Sequence, residues 1–114
     1  MATEKKITGN LGEDFAENYF KKKGFSIVRN YHSRYGEIDL IAQNDEYILF
    51  VEVKTRKAGT MVSPVEAVDY RKQAKIIRTA SAYLIEKRLE TNCRFDICEV
   101  FVDKESLKLD RINY

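Results

Sequence analysis

The sequence predicts a small α/β domain, because helix-like and strand-like patterns follow one another along a short chain. Apolar residues recur at helical spacing over residues 11–23 and again over residues 70–89. Two mainly apolar runs, at residues 37–42 and 47–54, and an alternating run at residues 94–102 are typical of strands. This combination supports an α/β fold in one domain.

The first half of the chain is predicted to hold one helix and three strands. The helix covers residues 11–23, its apolar side chains share one face, and Gly24 ends it. Residues 1–8 are expected to form a flexible N-terminal segment. A first strand is predicted at residues 25–29 and a loop at residues 30–35, before the two central strands begin.

The second half of the chain begins with a predicted flexible connection at residues 56–62. The next residues, Ser63-Pro64-Val65-Glu66, match a capping box with proline at the first helical position, so a long helix is expected to follow and to run through residue 89. A strand is predicted at residues 94–102, and residues 107–112 are a candidate edge strand. The predicted order is therefore αβββαβ, with one further strand at the end.

Length and composition restrict the classes of function. The 114 residues, of which 44% are hydrophobic and 33% charged, are enough for a single domain with a modest core over residues 1–114. The net charge of +2 is too small to indicate nucleic-acid binding by itself. The sequence has no apolar run of about 18 residues and no apolar segment at its N-terminus, so we expect no membrane insertion and a cytoplasmic location.

Charged side chains lie inside both central strand-like runs. Asp39 lies between Ile and Leu residues, and Glu52 lies among Phe and Val residues. Lys54 follows Glu52 by two positions. Glu52 and Lys54 share one strand face, because side chains alternate along a strand. Since burying an unpaired carboxylate is costly, these acids need a compensating partner, and a divalent metal ion is the leading candidate.

Hairpin geometry predicts that the two acids lie on the same side of the sheet. A two-residue loop at residues 44–45 pairs Asp39 with Phe50, and a loop at residues 45–46 pairs it with Glu52. Both registers place Asp39 on the Glu52 side. A loop of odd length would reverse this arrangement, and the sequence leaves that alternative open.

An acid followed by Glu-x-Lys resembles the signature of the PD-(D/E)XK, or restriction-endonuclease-like, nuclease superfamily. The superfamily often has proline before the first acid, where this chain has Ile38. From about residue 9 to its end the chain resembles the YraN family more narrowly, through Gly9-Asn10-Leu11-Gly12-Glu13-x-x-Ala16, Gly36-Glu37-Ile38-Asp39-Leu40-Ile41, Phe50-Val51-Glu52-Val53-Lys54-Thr55-Arg56 and Arg94-Phe95-Asp96. The resemblance implies an αβββαβ core with a mixed central sheet flanked by helices.

The resemblance also implies hydrolysis of phosphodiester bonds with Mg²⁺ or Mn²⁺ as the cofactor. Asp39 and Glu52 would bind the ion, the Val53 backbone carbonyl would be a further ligand, and Lys54 would orient or activate the attacking water. Glu13, on the first helix, would complete the metal shell or contact it through water. Two carboxylates about 4 Å apart repel by roughly 4 kcal/mol at an effective dielectric near 20, so a cation is a natural way to keep both ionised.

Four further residues are candidates for contacts with a nucleic-acid backbone: Arg34, Arg56, Lys72 and Gln73. The two arginines are expected in loops, and the other two lie on the second helix, where many such nucleases place a supporting residue. Glu37, two residues before Asp39, is a candidate outer acid on the same strand face.

Each candidate also has a purely structural interpretation. Glu52 and Lys54 would form an ordinary ion pair on a solvated strand, and Glu13 would be an acid favoured by the helix dipole. Lys72, together with Arg71 and Lys75, would solubilise the helix surface. The order of the motifs and the combination of the acids favour the functional interpretation.

DNA, including branched recombination or repair intermediates, is therefore the expected substrate. A chain this short would hold a duplex or junction more easily as a homodimer that presents two sites, which is a hypothesis from size and from the resemblance. The alternative is a non-catalytic module of nuclease fold that binds nucleic acid or a protein partner. RNA cleavage is left open by the sequence.

Overall fold

The computed structural model describes residues 4–57, 70–102 and 107–113, with side chains described for residues 11–56 and 70–101. Two helices and five strands make up this part of the chain. In chain order they are α1 (Glu4–Lys22), β1 (Ser26–Ser33), β2 (Gly36–Gln43), β3 (Tyr47–Lys57), α2 (Tyr70–Glu86), β4 (Asn92–Val102) and β5 (Leu107–Asn113).

The five strands form one mixed sheet in the spatial order β1-β2-β3-β4-β5. All adjacent pairs are antiparallel except β3 and β4, which are parallel. Parallel neighbours need a crossover connection and cannot be joined by a tight hairpin, and α2 lies in the connection between them. The α/β class predicted from the sequence and the mixed sheet implied by the resemblance are confirmed.

Each face of the sheet is covered by one helix. Val51 of β3 belongs to the cluster around Phe20 of α1, whereas the preceding residue, Phe50, belongs to the cluster around Tyr83 of α2. Burying a side chain of this size contributes about 1.5–3 kcal/mol to folding. The buried members of the α1 cluster are Ala16, Phe20, Phe25, Leu40, Ala42, Leu49, Val51 and Cys98, and those of the α2 cluster are Ile38, Ile41, Ile48, Phe50, Ala80 and Tyr83.

α1 begins earlier than the sequence predicts. It starts at Glu4, so residues 4–8 belong to the helix and not to a flexible segment, and residues 1–3 lie outside the described part. The Glu-Lys-Lys run that opens it consists of good helix formers, and this preference outweighs the two glycines that follow. The helix ends at Lys22, and Gly24, with φ 92°, turns the chain away as predicted.

β1 is longer than predicted. The strand continues to Ser33, so the loop predicted at residues 30–35 is wrong except for the turn at Arg34 and Tyr35. The sequence suggested a loop because Asn30 and Ser33 are turn-forming residues. In the structure β2 supplies the pairing partners, since Tyr31 pairs with Ile38 and Ser33 with Gly36.

The β2–β3 hairpin adopts the second of the two predicted registers. The pairs run from Leu40 with Val51 to Gln43 with Ile48. The Asn44 N–H donates to the Tyr47 carbonyl at 3.2 Å, and the Asn44 side-chain oxygen accepts from the backbone N–H groups of Glu46 and Tyr47. The connecting loop is therefore Asp45-Glu46. The ladder ends at Leu40 with Val51, directly before Asp39 and Glu52.

Two boundaries in the second half differ from the prediction. β3 extends to Lys57, so Arg56 lies in a strand and not in a loop, while residues 58–69, including the predicted capping box, lie outside the described part. α2 ends at Glu86, because Arg88 takes φ 53° and the Leu89 N–H donates back to the Leu84 carbonyl. Of the two helices in the described part, neither is long and apolar enough to cross a lipid bilayer.

Candidate active site

The central hairpin brings the Asp39 side chain against β3. Its Oδ2 atom accepts a hydrogen bond from the backbone N–H of Val53 at 2.9 Å. Among the described residues, no donor reaches the other oxygen, Oδ1. The observed contact with Val53 is through its N–H, and the ligand role of its carbonyl remains a prediction. Asp39 thus presents one carboxylate oxygen held by the sheet and one available to a ligand.

β1 and β2, which carry Asn30 and Asp39, both change face at this point. Arg29 of β1 contacts Asp14 of α1 at 2.6 Å, whereas Tyr31, two residues later, donates to Glu86 of α2 at 2.7 Å. In a regular strand these two side chains would share a face. The residue between them, Asn30, has φ 52°, a left-handed conformation that asparagine tolerates better than most residues.

β2 shows the matching change. Leu40 packs in the α1 cluster and Ile38 in the α2 cluster. The ladder pairs Arg29 with Leu40 and Tyr31 with Ile38, and it passes over Asn30 and Asp39 between them. Asp39 therefore lies where the sheet alternation is interrupted.

The interruption also removes the argument that placed Glu37 on the Asp39 face, so the outer-acid role of Glu37 stays a prediction. Glu37 was placed on the Asp39 face by strict alternation, and that rule does not hold across a break. Its side chain is exposed, and its Oε2 lies 3.2 Å from Nδ1 of His32 on the neighbouring strand.

Two lysines converge on Glu52. Lys72 Nζ lies 2.7 Å from Glu52 Oε1, and Lys54 Nζ lies 3.5 Å from the same oxygen. The Glu52 side chain is only 11% exposed, so these pairs are partly shielded from water. The sequence analysis proposed Lys72 for contacts with a nucleic-acid backbone, and the structure places it in direct contact with the predicted metal ligand.

Two acids of the site, Asp39 and Glu13, have raised pKa values. Burial, and next the charge of Glu52, raise the pKa of Asp39 to about 6, although the Val53 N–H works in the opposite direction. Burial also raises the pKa of Glu13, and the nearby Arg29 guanidinium partly offsets it. The charge of Glu52 adds to the rise at Glu13. The three carboxylates are therefore close enough to destabilise one another when all are ionised.

The two lysines are shifted in opposite directions. Burial, and next the neighbouring Lys72 ammonium, lower the pKa of Lys54, although Glu52 opposes the change. Burial disfavours the charge of Lys72, but its interactions with Glu52, Lys54 and Asp39 together raise the Lys72 pKa. Lys54 is therefore the lysine that gives up a proton more readily, which suits a group that exchanges protons with a water molecule.

Gly12 sets the approach of α1 to this site. The residue is buried, and a Cβ atom added there would collide with Oγ1 of Thr55, the neighbour of Lys54 on β3. Only a glycine lets the helix backbone lie this close to the strand. The following residue, Glu13, is thereby held beside the two central strands, which explains why a Gly-Glu pair stands at this position of the helix.

A divalent ion is compatible with these residues. Mg²⁺ is commonly held by one or two carboxylates while it keeps several waters, and Asp39 with Glu52 provides such a set. No compact group of three or more His, Cys, Asp or Glu ligands occurs among the described residues. The donor set therefore fits a hydrated hard cation better than a closed structural site.

Comparison with known proteins supports the resemblance in the motifs. The family model described as "Uncharacterised protein family UPF0102" matches residues 12–100, a span that includes every acid and lysine of the site. The chain belongs to UPF0102. This confirms the resemblance to the YraN family at the family level.

UPF0102 relatives match over nearly the whole chain. The UPF0102 protein of Caldanaerobacter subterraneus subsp. tengcongensis is 43% identical over 112 residues, covering 96% of this chain and 92% of the relative. That of Clostridium acetobutylicum is 47% identical over 107 residues, covering 92% and 88%. That of Alkaliphilus oremlandii is 44% identical over 112 residues, covering 95% of each chain.

In this UPF0102 chain, sequence reasoning missed Glu99. This β4 residue is paired with Lys54 across the parallel register, and its side chain is only 3% exposed. Its Oε1 lies 3.6 Å from Nε of Arg56, whose side chain is 16% exposed. An acid among Ile, Cys and Val residues is the same signal that identified Asp39, and it was present in the sequence. Arg56 therefore forms a buried ion pair beside the site, and it does not lie on a loop.

The remaining candidates of the UPF0102 chain lie outside this group. Arg34 occupies the β1–β2 turn and stacks on the ring of Tyr35 at 4.9 Å. Gln73, on α2, lines a small cavity of about 170 Å³ with Ile76 and Phe95. The structure thus brings Lys54 and Lys72 against Glu52 and puts Asp39 and Glu13 within electrostatic range. It places Arg34 and Gln73 elsewhere, on the β1–β2 turn and on α2.

Proposed function

We propose that this UPF0102 protein is a metal-dependent nuclease that hydrolyses phosphodiester bonds in DNA. The observation that supports this best is the partly buried pair of carboxylates, Asp39 and Glu52, on adjacent strands, with Lys54 two residues after the second acid. Two such acids repel when both are ionised, and a bound cation relieves that repulsion.

The fold supports the same proposal. Helix α1 precedes three antiparallel strands, and α2 leads to a strand parallel to the third. This is the αβββαβ order of the restriction-endonuclease-like core that the motifs resemble. The acids lie on the second and third strands, as the resemblance requires.

Mechanistically, Asp39 and Glu52 would hold Mg²⁺ or Mn²⁺, and Glu13 would support them through its negative charge. The ion would polarise a phosphoryl oxygen and lower the pKa of a bound water. Lys54, whose pKa is lowered by burial and by Lys72, would accept or orient the proton of the attacking water. Lys72 balances the charge of Glu52 and lies where it would also stabilise charge on a phosphate.

A cleavage assay tests the proposal. Purified protein is incubated with linear duplex, single-stranded, flapped and four-way DNA in Mg²⁺ or Mn²⁺, with EDTA as the negative control. Glu52→Gln removes a metal ligand and Lys54→Ala removes the proton-handling amine, so we expect each to reduce the cleavage rate by at least about 100-fold. Glu46→Gln, which removes an exposed acid from the hairpin loop, should leave the rate unchanged.

Circular dichroism and thermal unfolding establish that the variants fold. Cleavage by the Glu52→Gln or Lys54→Ala variant at the wild-type rate would reject the assignment.

A duplex RNA substrate in the same assay decides whether the activity is restricted to DNA. Light scattering with and without DNA tests the homodimer hypothesis, and a monomer at micromolar concentration in both conditions would exclude it.

A second candidate, a non-catalytic module of the same fold, is favoured by one observation. Lys72 and Lys54 already neutralise Glu52 without a metal ion, so the site has an internal charge balance. Manganese titration of the wild type and of Asp39→Asn separates the two candidates. Uptake by the wild type that is lost in the variant supports the nuclease, and absence of uptake by both supports the module.

A further inference from the structure

One side of α2 carries a row of positive charges. Arg71, Lys75 and Arg78 are exposed and follow one another at intervals of four and three residues, so they lie along one side of the helix. Among the described residues none of the three forms an ion pair. The only acid in the sequence of α2 is Glu86, at its last position.

The row slightly weakens the helix that carries it. Like charges at helical spacing of three and four residues repel one another and weaken a helix. Lys72, beside the row, differs because it contacts Glu52. The protein as a whole has a net charge of only +2, so the row is a local concentration of charge and does not reflect a basic composition.

Two grooves lie along the row, and the first of them includes Lys72 of the candidate active site. The first, of about 430 Å³, lies between Gly36 and Glu37 at the start of β2 and Arg71, Lys72 and Lys75 of α2. Since Lys72 also contacts Glu52, this groove leads to the carboxylates.

The second groove lies between the β1–β2 turn and the next turns of α2. Its volume is about 640 Å³, and its lining includes Arg34 and Tyr35 from the turn and Arg78 and Ser81 from α2. The acid that lines it, Glu86, accepts a hydrogen bond from Tyr31. Positive charge therefore continues from the site along α2 to the turn.

We propose that Arg71, Lys75 and Arg78, together with Arg34, bind successive phosphates of a nucleic-acid backbone and guide that strand to the site. This inference rests on the proposed function. Seven residues of helix span about 10 Å at about 1.5 Å per residue, and a strand of duplex DNA advances about 3.4 Å per phosphate along the axis. The row therefore matches about three phosphates, which it contacts without reading sequence.

Salt dependence of binding tests the row separately from catalysis. Binding of the full-length protein to a fluorescent 20-base-pair duplex is measured by anisotropy in EDTA, where no cleavage occurs, from 50 to 200 mM KCl. Each phosphate contact contributes about 0.9 to the slope of log affinity against log salt. The variant Arg71→Ala/Lys75→Ala/Arg78→Ala should lower the slope by about 2.7, so wild-type affinity should fall about 40-fold more than that of the variant across this range.

Lys21→Ala/Lys22→Ala/Lys23→Ala is the matched control, because it removes the same charge from exposed positions at the end of α1. It should keep the wild-type slope, and circular dichroism establishes that both variants fold. Duplex RNA of the same sequence is measured in parallel, and a slope difference with either polymer supports the row.

Three results would overturn the inference. These are equal slopes for the row variant and the control on both polymers, absence of wild-type binding at 50 mM KCl, and a change of oligomeric state in the row variant with an unchanged slope. The last result would identify a protein interface. A slope difference without any cleavage in Mg²⁺ or Mn²⁺ would reject the proposed catalysis and leave the binding surface supported.

Discussion

At the scale of single residues, Asp39 illustrates a conflict between folding and site formation. Burial and the adjacent Glu52 both oppose its ionisation, while one hydrogen bond from the Val53 backbone favours it. A protein selected for stability alone would gain by replacing such an acid with a neutral side chain. A bound cation, as proposed above, would stabilise the ionised form of Asp39.

This conflict predicts the effect of Asp39→Asn in metal-free buffer. The folded-state pKa of about 6 exceeds the ordinary value of 3.8, so the folded state binds the proton more tightly than the unfolded state. The resulting stability is present below pH 4 and is lost as the pH rises through 6. Asparagine avoids that loss, and we expect the variant to be more stable than the wild type by roughly 1–3 kcal/mol at pH 8 and about equally stable at pH 4.

Urea unfolding in EDTA at the two pH values measures the difference. Glu46→Gln, at an exposed position of the hairpin loop, serves as the reference for removal of a negative charge. A variant that is less stable than the wild type at pH 8, or a gain that is equal at both pH values, would contradict the electrostatic explanation.

At the scale of elements, the site depends on how strands and helices approach one another. β1 and β2 both change face at the Asn30–Asp39 position, and α1 approaches β3 through Gly12. The change of face positions the Asp39 carboxylate. The close approach of α1 at Gly12 positions the Glu13 carboxylate.

Asn30 tests the contribution of the strand interruption. Its φ of 52° is accessible to glycine and strongly unfavourable for a β-branched residue. We expect Asn30→Val to lose roughly 1–3 kcal/mol of folding stability and to bind Mn²⁺ more weakly than the wild type, because a regular strand would turn Asp39 away. Asn30→Gly should bind Mn²⁺ as the wild type does. Calorimetric titration compares the three proteins, and equal Mn²⁺ affinity for Val and Asn would refute the role.

Gly12 tests the contribution of the helix approach. Gly12→Ala places a Cβ against Oγ1 of Thr55, and overpacking of this kind costs about 1–3 kcal/mol. Thr55→Ala removes the colliding oxygen, so the double variant should be less destabilised than the sum of the single changes. Chemical denaturation of the four proteins provides the double-mutant cycle, and strictly additive losses would show that the collision is not the cause.

At the scale of the whole molecule, the sequence predicted the architecture better than the site. Helical and alternating apolar patterns identified both helices and all five strands. An element that buries one face has apolar residues at regular intervals, and these intervals are visible in the sequence. The Asp45-Glu46 register was one of two predicted alternatives. The contact between Glu52 and Lys72 could not be predicted from the sequence, since the rotation of α2 over the sheet depends on packing across the core.

Other differences have equally physical causes. Arg88 ends α2 in a left-handed conformation that usually belongs to glycine, so no stop signal was visible. The strand at Asn30 to Ser33 is stabilised by pairing with β2, which outweighs the turn preference of its residues. Glu99 is an acid inside an apolar strand, and this was visible in the sequence. It belongs to none of the motifs that pointed to a function, so it was not selected as a candidate.

Metal binding should also be visible in the stability of the entire domain. A ligand at 100 times its dissociation constant stabilises the folded state by about 2.7 kcal/mol, which corresponds to a rise in Tm of roughly 10 °C for a domain of this size. We expect Mn²⁺ to produce this rise in the wild type and in Glu46→Gln, and to produce none in Asp39→Asn. Thermal unfolding by circular dichroism measures it, and an equal rise in Asp39→Asn would place the ion elsewhere.

The closeness of the β1–β2 turn to α2 rests on Gly36. With φ 150°, this residue lies where an added Cβ would be 3.3 Å from Thr79 Oγ1 and 3.8 Å from Lys75 Cβ. The grooves on either side of this contact run between the same turn and the same helix. A methyl group at position 36 would press on Thr79 Oγ1 and require a shift of a few tenths of an ångström, in a backbone conformation that side chains rarely adopt. Gly36, which has no side chain, therefore limits the width of the two grooves between the β1–β2 turn and α2.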